Sequence, residues 1–188
     1  MATLIVPFRG RGAKRRLDPE LRSVIAQAML ADVVAACADV GRPIVVSPDP
    51  VGLDVDTFED TGRGQGAAVA AALATVPDEP VLVVNADLPC ATPRDLLTLF
   101  GALPPDGLAL VPARDGTTNA VAFSSPTLFE PVYGPASAER FRRLAPATVV
   151  DVPNLADDVD TIWDLVRVRD RVGRHTRAAL ASAKLTVG

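Results

Sequence analysis

Short apolar runs recur along the chain. Thr3-Leu4-Ile5-Val6, Pro43-Ile44-Val45-Val46-Ser47, Val81-Leu82-Val83-Val84 and Leu108-Ala109-Leu110-Val111 each lack polar alternation. Such runs suit strands buried on both faces. Between them, apolar positions fall at helical spacing. Leu21, Val24, Ile25, Ala28 and Met29 mark a helix with Asp18 as its cap, Pro19 at its first position and Gly41 as its stop. After a turn-rich segment, Gly66 to Val76 reads as a small-residue helix. Thr92-Pro93 opens another helix, which runs through Leu103. The remaining pattern predicts a strand over Asn119 to Phe123, a short helix over Ala136 to Leu144 and a short strand at Val149-Val150. Two helices, Thr161 to Val172 and Arg174 to Lys184, complete the chain. Met29, Cys37 and Trp163 stand in predicted helices among apolar neighbours and read as core.

Strands alternating with helices give βαβ units, a mainly parallel sheet and a three-layer α/β architecture. No internal repeat or long linker divides the chain, so one domain over residues 1–188 is expected. Ligands of such sheets sit beyond the carboxyl ends of the strands. That directs attention to Pro7–Arg16, Asn85–Pro89 and the loops after the later strands.

Composition narrows the chemistry. The 188 residues are 48% apolar, enough to fill a core. Nineteen basic against 23 acidic residues leave a net charge of -4, which argues against a nucleic-acid partner. No apolar run approaches the ~18 residues of a membrane span. The N-terminus enters an apolar strand directly, so no signal peptide is expected. Two cysteines, Cys37 and Cys90, make no disulfide framework and fit a reducing cytoplasm. Triad or Cys-His catalysis would have to run through the single histidine, His175, in the charged stretch Arg174-His175-Thr176-Arg177. An enzyme with this composition needs chemistry that uses neither imidazole nor thiolate.

Four segments could carry such chemistry. Arg9-Gly10-Arg11-Gly12-Ala13-Lys14-Arg15-Arg16 puts five cations and two glycines after a buried strand, which favours phosphate binding over a merely solvated loop. It is neither a P-loop nor a dinucleotide fingerprint. Asp87, just past Val81–Val84, could bridge Mg²⁺ to phosphate oxygens or simply cap a turn. Asp157-Asp158-Val159-Asp160 reads equally as the acidic start of a helix at Thr161 or as further magnesium ligands. Asp115-Gly116-Thr117-Thr118-Asn119 and Tyr133-Gly134-Pro135-Ala136-Ser137 offer hydroxyls and amides to an anion, or form ordinary turns.

In this order, the motifs resemble the 2-phospho-L-lactate/phosphoenolpyruvate guanylyltransferases of coenzyme F-420 (deazaflavin) biosynthesis, over nearly the whole chain. Val6-Pro7 with Ala13-Lys14-Arg15-Arg16-Leu17 looks like the family's V-P-x-K…A-K-S-R-L. Asn85-Ala86-Asp87-Leu88-Pro89 looks like A-D-L-P, and Asp115 to Ala120 looks like D-G-x-G-T-N-A. Tyr133 to Ser137 looks like F-G-x-x-S, and Asp158-Val159-Asp160-Thr161 like D-V-D-T. The resemblance implies a Rossmann-like, glycosyltransferase-A-like nucleotidyltransferase domain with a mainly parallel mixed sheet. It implies Mg²⁺ on Asp87, Asp158 and Asp160, with Lys14 and Asp87 catalytic. GTP would be held by Pro7, Arg9, Arg11, Lys14, Gly64 and Gly66, and a phosphorylated three-carbon acid by Thr118 or Asn119, Gly134 and Ser137.

Three departures from the family stand out. Arg9 replaces a lysine, in a loop one residue short. The family's G-L-N-A-A-L appears as Gly64-Gln65-Gly66-Ala67-Ala68-Val69, without its Asn. The Thr117-Thr118-Asn119 stretch lacks a glycine.

The reaction this implies is attack of the acid's phosphate on the α-phosphorus of GTP, with release of pyrophosphate. A phosphate monoester has its second pKa near ~6, so it is largely ionised at neutral pH and needs no general base. An Ala/Arg/Asp-rich composition fits a GC-rich bacterial source, which by analogy favours phosphoenolpyruvate over 2-phospho-L-lactate or phosphoglycerate. Two alternatives remain: a nucleotidyltransferase acting on a molybdenum pterin or sugar phosphate, and a non-catalytic nucleotide-binding relative. The expected partners are small molecules only, and the oligomeric state, a homodimer included, is left open.

Overall fold

The computed structural model describes residues 2–9 and 19–183, with only the backbone for 19–22. The expectations for Arg11, Lys14 and the Asp18 cap, and the end of the last helix at Lys184, lie outside the described residues.

Seven strands form one sheet in the order β3-β2-β1-β4-β6-β5-β7. They are β1 (Thr3–Pro7), β2 (Arg42–Ser47), β3 (Asp56–Glu59), β4 (Val81–Val84), β5 (Leu108–Pro112), β6 (Thr118–Phe123) and β7 (Ala147–Val149). All run parallel except β6, which lies antiparallel between β4 and β5. The chain builds outward from β1 through β2 to β3, then returns to place β4 on the other side of β1. The carboxyl ends of β1 and β4 therefore flank a switch point, where a crevice opens.

The unalternated apolar runs are buried on both faces, as expected. Leu4, Val6, Leu82 and Val84 face one core with α1 (Pro19–Ala38), α3 (Pro93–Gly101) and α5 (Pro153–Ala156). Ile5, Val81 and Val83 face another with α2 (Gln65–Leu73) and α4 (Ser137–Phe141). A third cluster joins Ile25 and Met29 of α1 to Leu165 and Val168 of α6 (Ile162–Val168). Against it packs α7 (Arg174–Ser182), whose first turn is capped from another helix: Asp32 of α1, buried, accepts the N–H groups of His175 and Thr176, both at 2.9 Å. Thr92 caps α3 as predicted, in a reciprocal box with Asp95.

Four expectations need correction. Trp163 is 74% exposed, because α6 turns Leu165 and Val168 inward and leaves Trp163 on its outer side. Val24 is exposed for the same reason on α1, beside the buried Ile25. The turn-rich segment contains β3, an edge strand of sequence Asp-Thr-Phe-Glu without an apolar run to announce it. The helix expected over Thr161 to Val172 ends at Val168.

Candidate active site

The crevice at the switch point is lined by Pro7 at the end of β1 with Phe8 and Arg9 after it, Gln65 at the start of α2, and Asn85 and Asp87 after β4. Asn85 ties the end of β4 to α2 and to β6. Its Oδ1 accepts from Gln65 Nε2 at 3.0 Å, its Nδ2 donates to the Thr118 carbonyl at 3.1 Å, and its backbone N–H donates to the Asn119 carbonyl at 2.9 Å. Sequence reasoning does not single out Gln65 or the Asn85 side chain. The signal for Asn85 is its position, a polar residue directly following a buried strand.

Residues 157–160 form an extended segment between α5 and α6. Its burial alternates: Asp157 and Val159 are buried, Asp158 is half-buried and Asp160 exposed. The Val159 side chain enters the third core cluster, while its N–H donates to the Asp87 carbonyl at 3.0 Å. Asp158 and Asp160 thereby flank Asp87. One carboxylate oxygen from each of Asp87, Asp158 and Asp160 lies within 4.8 Å of the other two. The Asp158 carboxyl is pushed above its usual range, by burial first and then by the charges of Asp87 and Asp160, against a hydrogen bond from Asn119. Three hard oxygen donors crowded in this way fit a divalent cation such as Mg²⁺, which would relieve their mutual repulsion.

The alternative reading of the late acids as a helix cap falls elsewhere. Thr161 caps α6 in a box with Asp164. Asp157 serves the scaffold instead. Its carboxylate holds Arg114 at 2.7 Å and Arg171, with Arg167 at 3.8 Å. It fastens the β5–β6 turn to the segment that carries Asp158.

Thr118 and Asn119 open β6. Val111 pairs with Ala120 but Pro112 pairs with Thr118, so Asn119 is the extra residue of a β-bulge. Both are buried, and their side chains find different partners. Thr118 Oγ1 accepts from Ser137 Oγ at 3.1 Å, whereas Asn119 Nδ2 donates to Asp158 Oδ1 at 3.3 Å. Gly134 stands just before α4 with φ 106°, a conformation side chains disfavour. The preceding Val132 and Tyr133 carbonyls are held by the Arg140 guanidinium.

Gly64 immediately precedes α2. A Cβ added at Gly66 would lie 2.8 Å from Pro131 Cβ and 3.1 Å from its Cα and carbonyl oxygen. Pro131 thus packs directly against the start of the helix, at the position where the resemblance implies an Asn. Burial pushes the Cys37 thiol up to about 12 and the Cys90 thiol up to about 11. His175 lies on the first turn of α7, where its Nε2 accepts from Arg174. No helix among the described residues is long and apolar enough to cross a membrane.

Comparison with known proteins identifies the family. The model of the MobA-like NTP transferase domain matches residues 13–156. The chain is 35% identical to the 2-phospho-L-lactate guanylyltransferase of Natrialba magadii, covering 93% of this chain and 86% of that one. It is 34% identical to the phosphoenolpyruvate guanylyltransferase of Mycobacterium sp. (strain KMS), covering 96% and 91%.

The chain belongs to the 2-phospho-L-lactate/phosphoenolpyruvate guanylyltransferase family.

These guanylyltransferases are nucleotidyltransferase enzymes, and the fold agrees. The 2-C-methyl-D-erythritol 4-phosphate cytidylyltransferase of Thermus thermophilus superposes with a TM-score of 0.64 at 19% identity, over 95% of this chain and 98% of that one. At that identity the likeness speaks for the architecture alone.

Proposed function

We propose that this protein transfers GMP from GTP to a phosphorylated three-carbon acid and releases pyrophosphate. Phosphoenolpyruvate is favoured as acceptor over 2-phospho-L-lactate. The observation that carries the reading is the convergence of Asp87, Asp158 and Asp160 beside the start of β6, in a chain whose relatives carry guanylyltransferase names.

In this reading the three carboxylates hold Mg²⁺, which when bound neutralises charge on the triphosphate. Pro7 and Arg9 line the crevice and face the nucleotide, with Gly64 and Gly66 at the start of α2 and with Arg11 and Lys14 assigned by resemblance. Thr118, Ser137 and the backbone at Gly134 hold the acid. An oxygen of the acceptor phosphate forms a bond to the α-phosphorus, and the bond from that phosphorus to pyrophosphate breaks. The acceptor arrives ionised, so the residues align and neutralise rather than remove a proton. Two buried, unbridged cysteines suit the reducing cytoplasm that this reading implies.

The test is pyrophosphate release with GTP, Mg²⁺ and, separately, phosphoenolpyruvate, 2-phospho-L-lactate and 3-phosphoglycerate. Release with one of the first two is expected, and Asp87→Asn should abolish it while keeping the native circular-dichroism spectrum. Full turnover in Asp87→Asn would remove the metal assignment. Absence of release with every acid would remove the acceptor assignment.

A further inference from the structure

The resemblance leaves Thr118 and Asn119 competing for one role, and the bulge separates them. Asn119 is 3% exposed. Its backbone carbonyl accepts the Asn85 N–H, and its amide donates to Asp158 Oδ1. Asn85 is itself tethered through Gln65 and the Thr118 carbonyl, so the peptide carrying Asn119 is fixed from the β4 side. On the β5 side Asn119 is the extra residue, and a bulge at such a place re-aims a side chain.

We propose that Asn119 is a positioning residue that orients the Asp158 carboxylate for a divalent cation, leaving the acceptor to Thr118 and Ser137. This rests on the reading of the three-carboxylate cluster as a cation site. A carboxylate held through one oxygen by an N–H keeps its remaining lone pairs directed at an ion, which is how outer partners tune metal ligands. The residue type matters as well. An amide brings a donor without charge, whereas a lysine or arginine would compete with the cation. Asp would add a fourth carboxylate to the three already present.

The experiment is calorimetric titration of the full chain with Mn²⁺ in the absence of nucleotide, followed by steady-state kinetics. Asn119→Ala should weaken Mn²⁺ binding by about 10-fold or more, in the range found for such outer partners. It should also raise the Mg²⁺ concentration needed for half-maximal turnover while leaving the acceptor KM unchanged. In an Asp158→Ala background the same substitution should have no further effect on Mn²⁺ binding, which a general loss of packing would not reproduce. Asn119→Ser takes the place of the alanine variant if that one does not fold, with the same loss expected. Unchanged Mn²⁺ affinity with a raised acceptor KM would overturn the proposal and return Asn119 to the substrate. An equal loss in the Asp158→Ala background would overturn it too. If the unaltered protein binds no Mn²⁺, the cluster reading fails with the proposal, and the calorimetry separates that result from a failure of Asn119 alone.

Discussion

The Val159 N–H donates to the Asp87 carbonyl at 3.0 Å, and this one bond joins the two acidic segments of the site across 72 positions of sequence. It works because Val159 is anchored. Its side chain is fully buried among Ile25, Met29, Cys90 and Leu165, so the flanking Asp158 and Asp160 are left on the open side.

Val159→Ala should therefore destabilise the fold by roughly 2 kcal/mol, from lost burial and an incompletely collapsed cavity. Trp163→Ala, four positions on at a residue 74% exposed, should stay within about 0.5 kcal/mol of the unaltered protein. Urea denaturation of both variants checks the pair. Equal losses would mean that burial of Val159 is not what anchors the segment.

Asp157 supplies a pH dependence. Burial alone would raise its pKa, but the hydrogen bonds from Arg171 and Arg114, with their charges, outweigh this and hold it below the usual carboxylate range. A depressed pKa means that the folded state prefers the ionised form. The resulting stability is fully present above the unfolded value of about 3.9 and is lost as pH falls through the lower folded value. Asp157→Asn should thus be clearly less stable than the unaltered protein at pH 7. The gap should narrow steadily below about pH 4 in chemical denaturation. A gap independent of pH would show that shape, not charge, is what the arginines require.

Gly66→Asn, the residue that the resemblance implies at this position, should be costly in this chain. The new Cβ would meet the Pro131 backbone as well as its ring, so the loop has to shift, at about 1–3 kcal/mol. Pairing it with Pro131→Gly should recover part of that loss. Melting temperatures of the two variants decide, and a neutral single substitution would refute the packing account.

Asp32→Ala removes the cap that α1 lends to α7, leaving two N–H groups of its first turn without their acceptor. A loss of about 1–2 kcal/mol is expected, seen as a melting temperature lower by several degrees. Asp32→Asn keeps one acceptor oxygen and should lose less. Equal losses would argue that the bonds contribute little.

The buried strands are legible in the sequence because Leu4, Ile5, Leu82 and Val83 face apolar layers on both sides and cannot alternate with polar residues. β3 is not, since an edge strand of Asp, Thr, Phe and Glu asks for no burial that a pattern could reveal. Asp87 and the late acids are legible as carboxylates in promising places. Whether Asp157 to Asp160 cap a helix or meet Asp87 depends on the tie between Val159 and a distant carbonyl. The role of Asp157 is hidden for a similar reason, because Arg114 and Arg171 come from segments 43 and 14 positions away. Trp163 misleads because a helix near a core still has an outer side.

The bulge at the start of β6 also separates two kinds of change that the chain can undergo. Beyond it, Ala120 to Phe123 are pinned in register by β4 on one side and β5 on the other, and all four are buried. Before it, residues 113–117 form the β5–β6 turn, where the Ala113 N–H donates to the Thr117 carbonyl at 2.9 Å. A residue gained or lost in that turn can be absorbed at the bulge without turning the pinned residues to the wrong face. This turn can therefore vary in length and composition while the interior of the sheet keeps its parity.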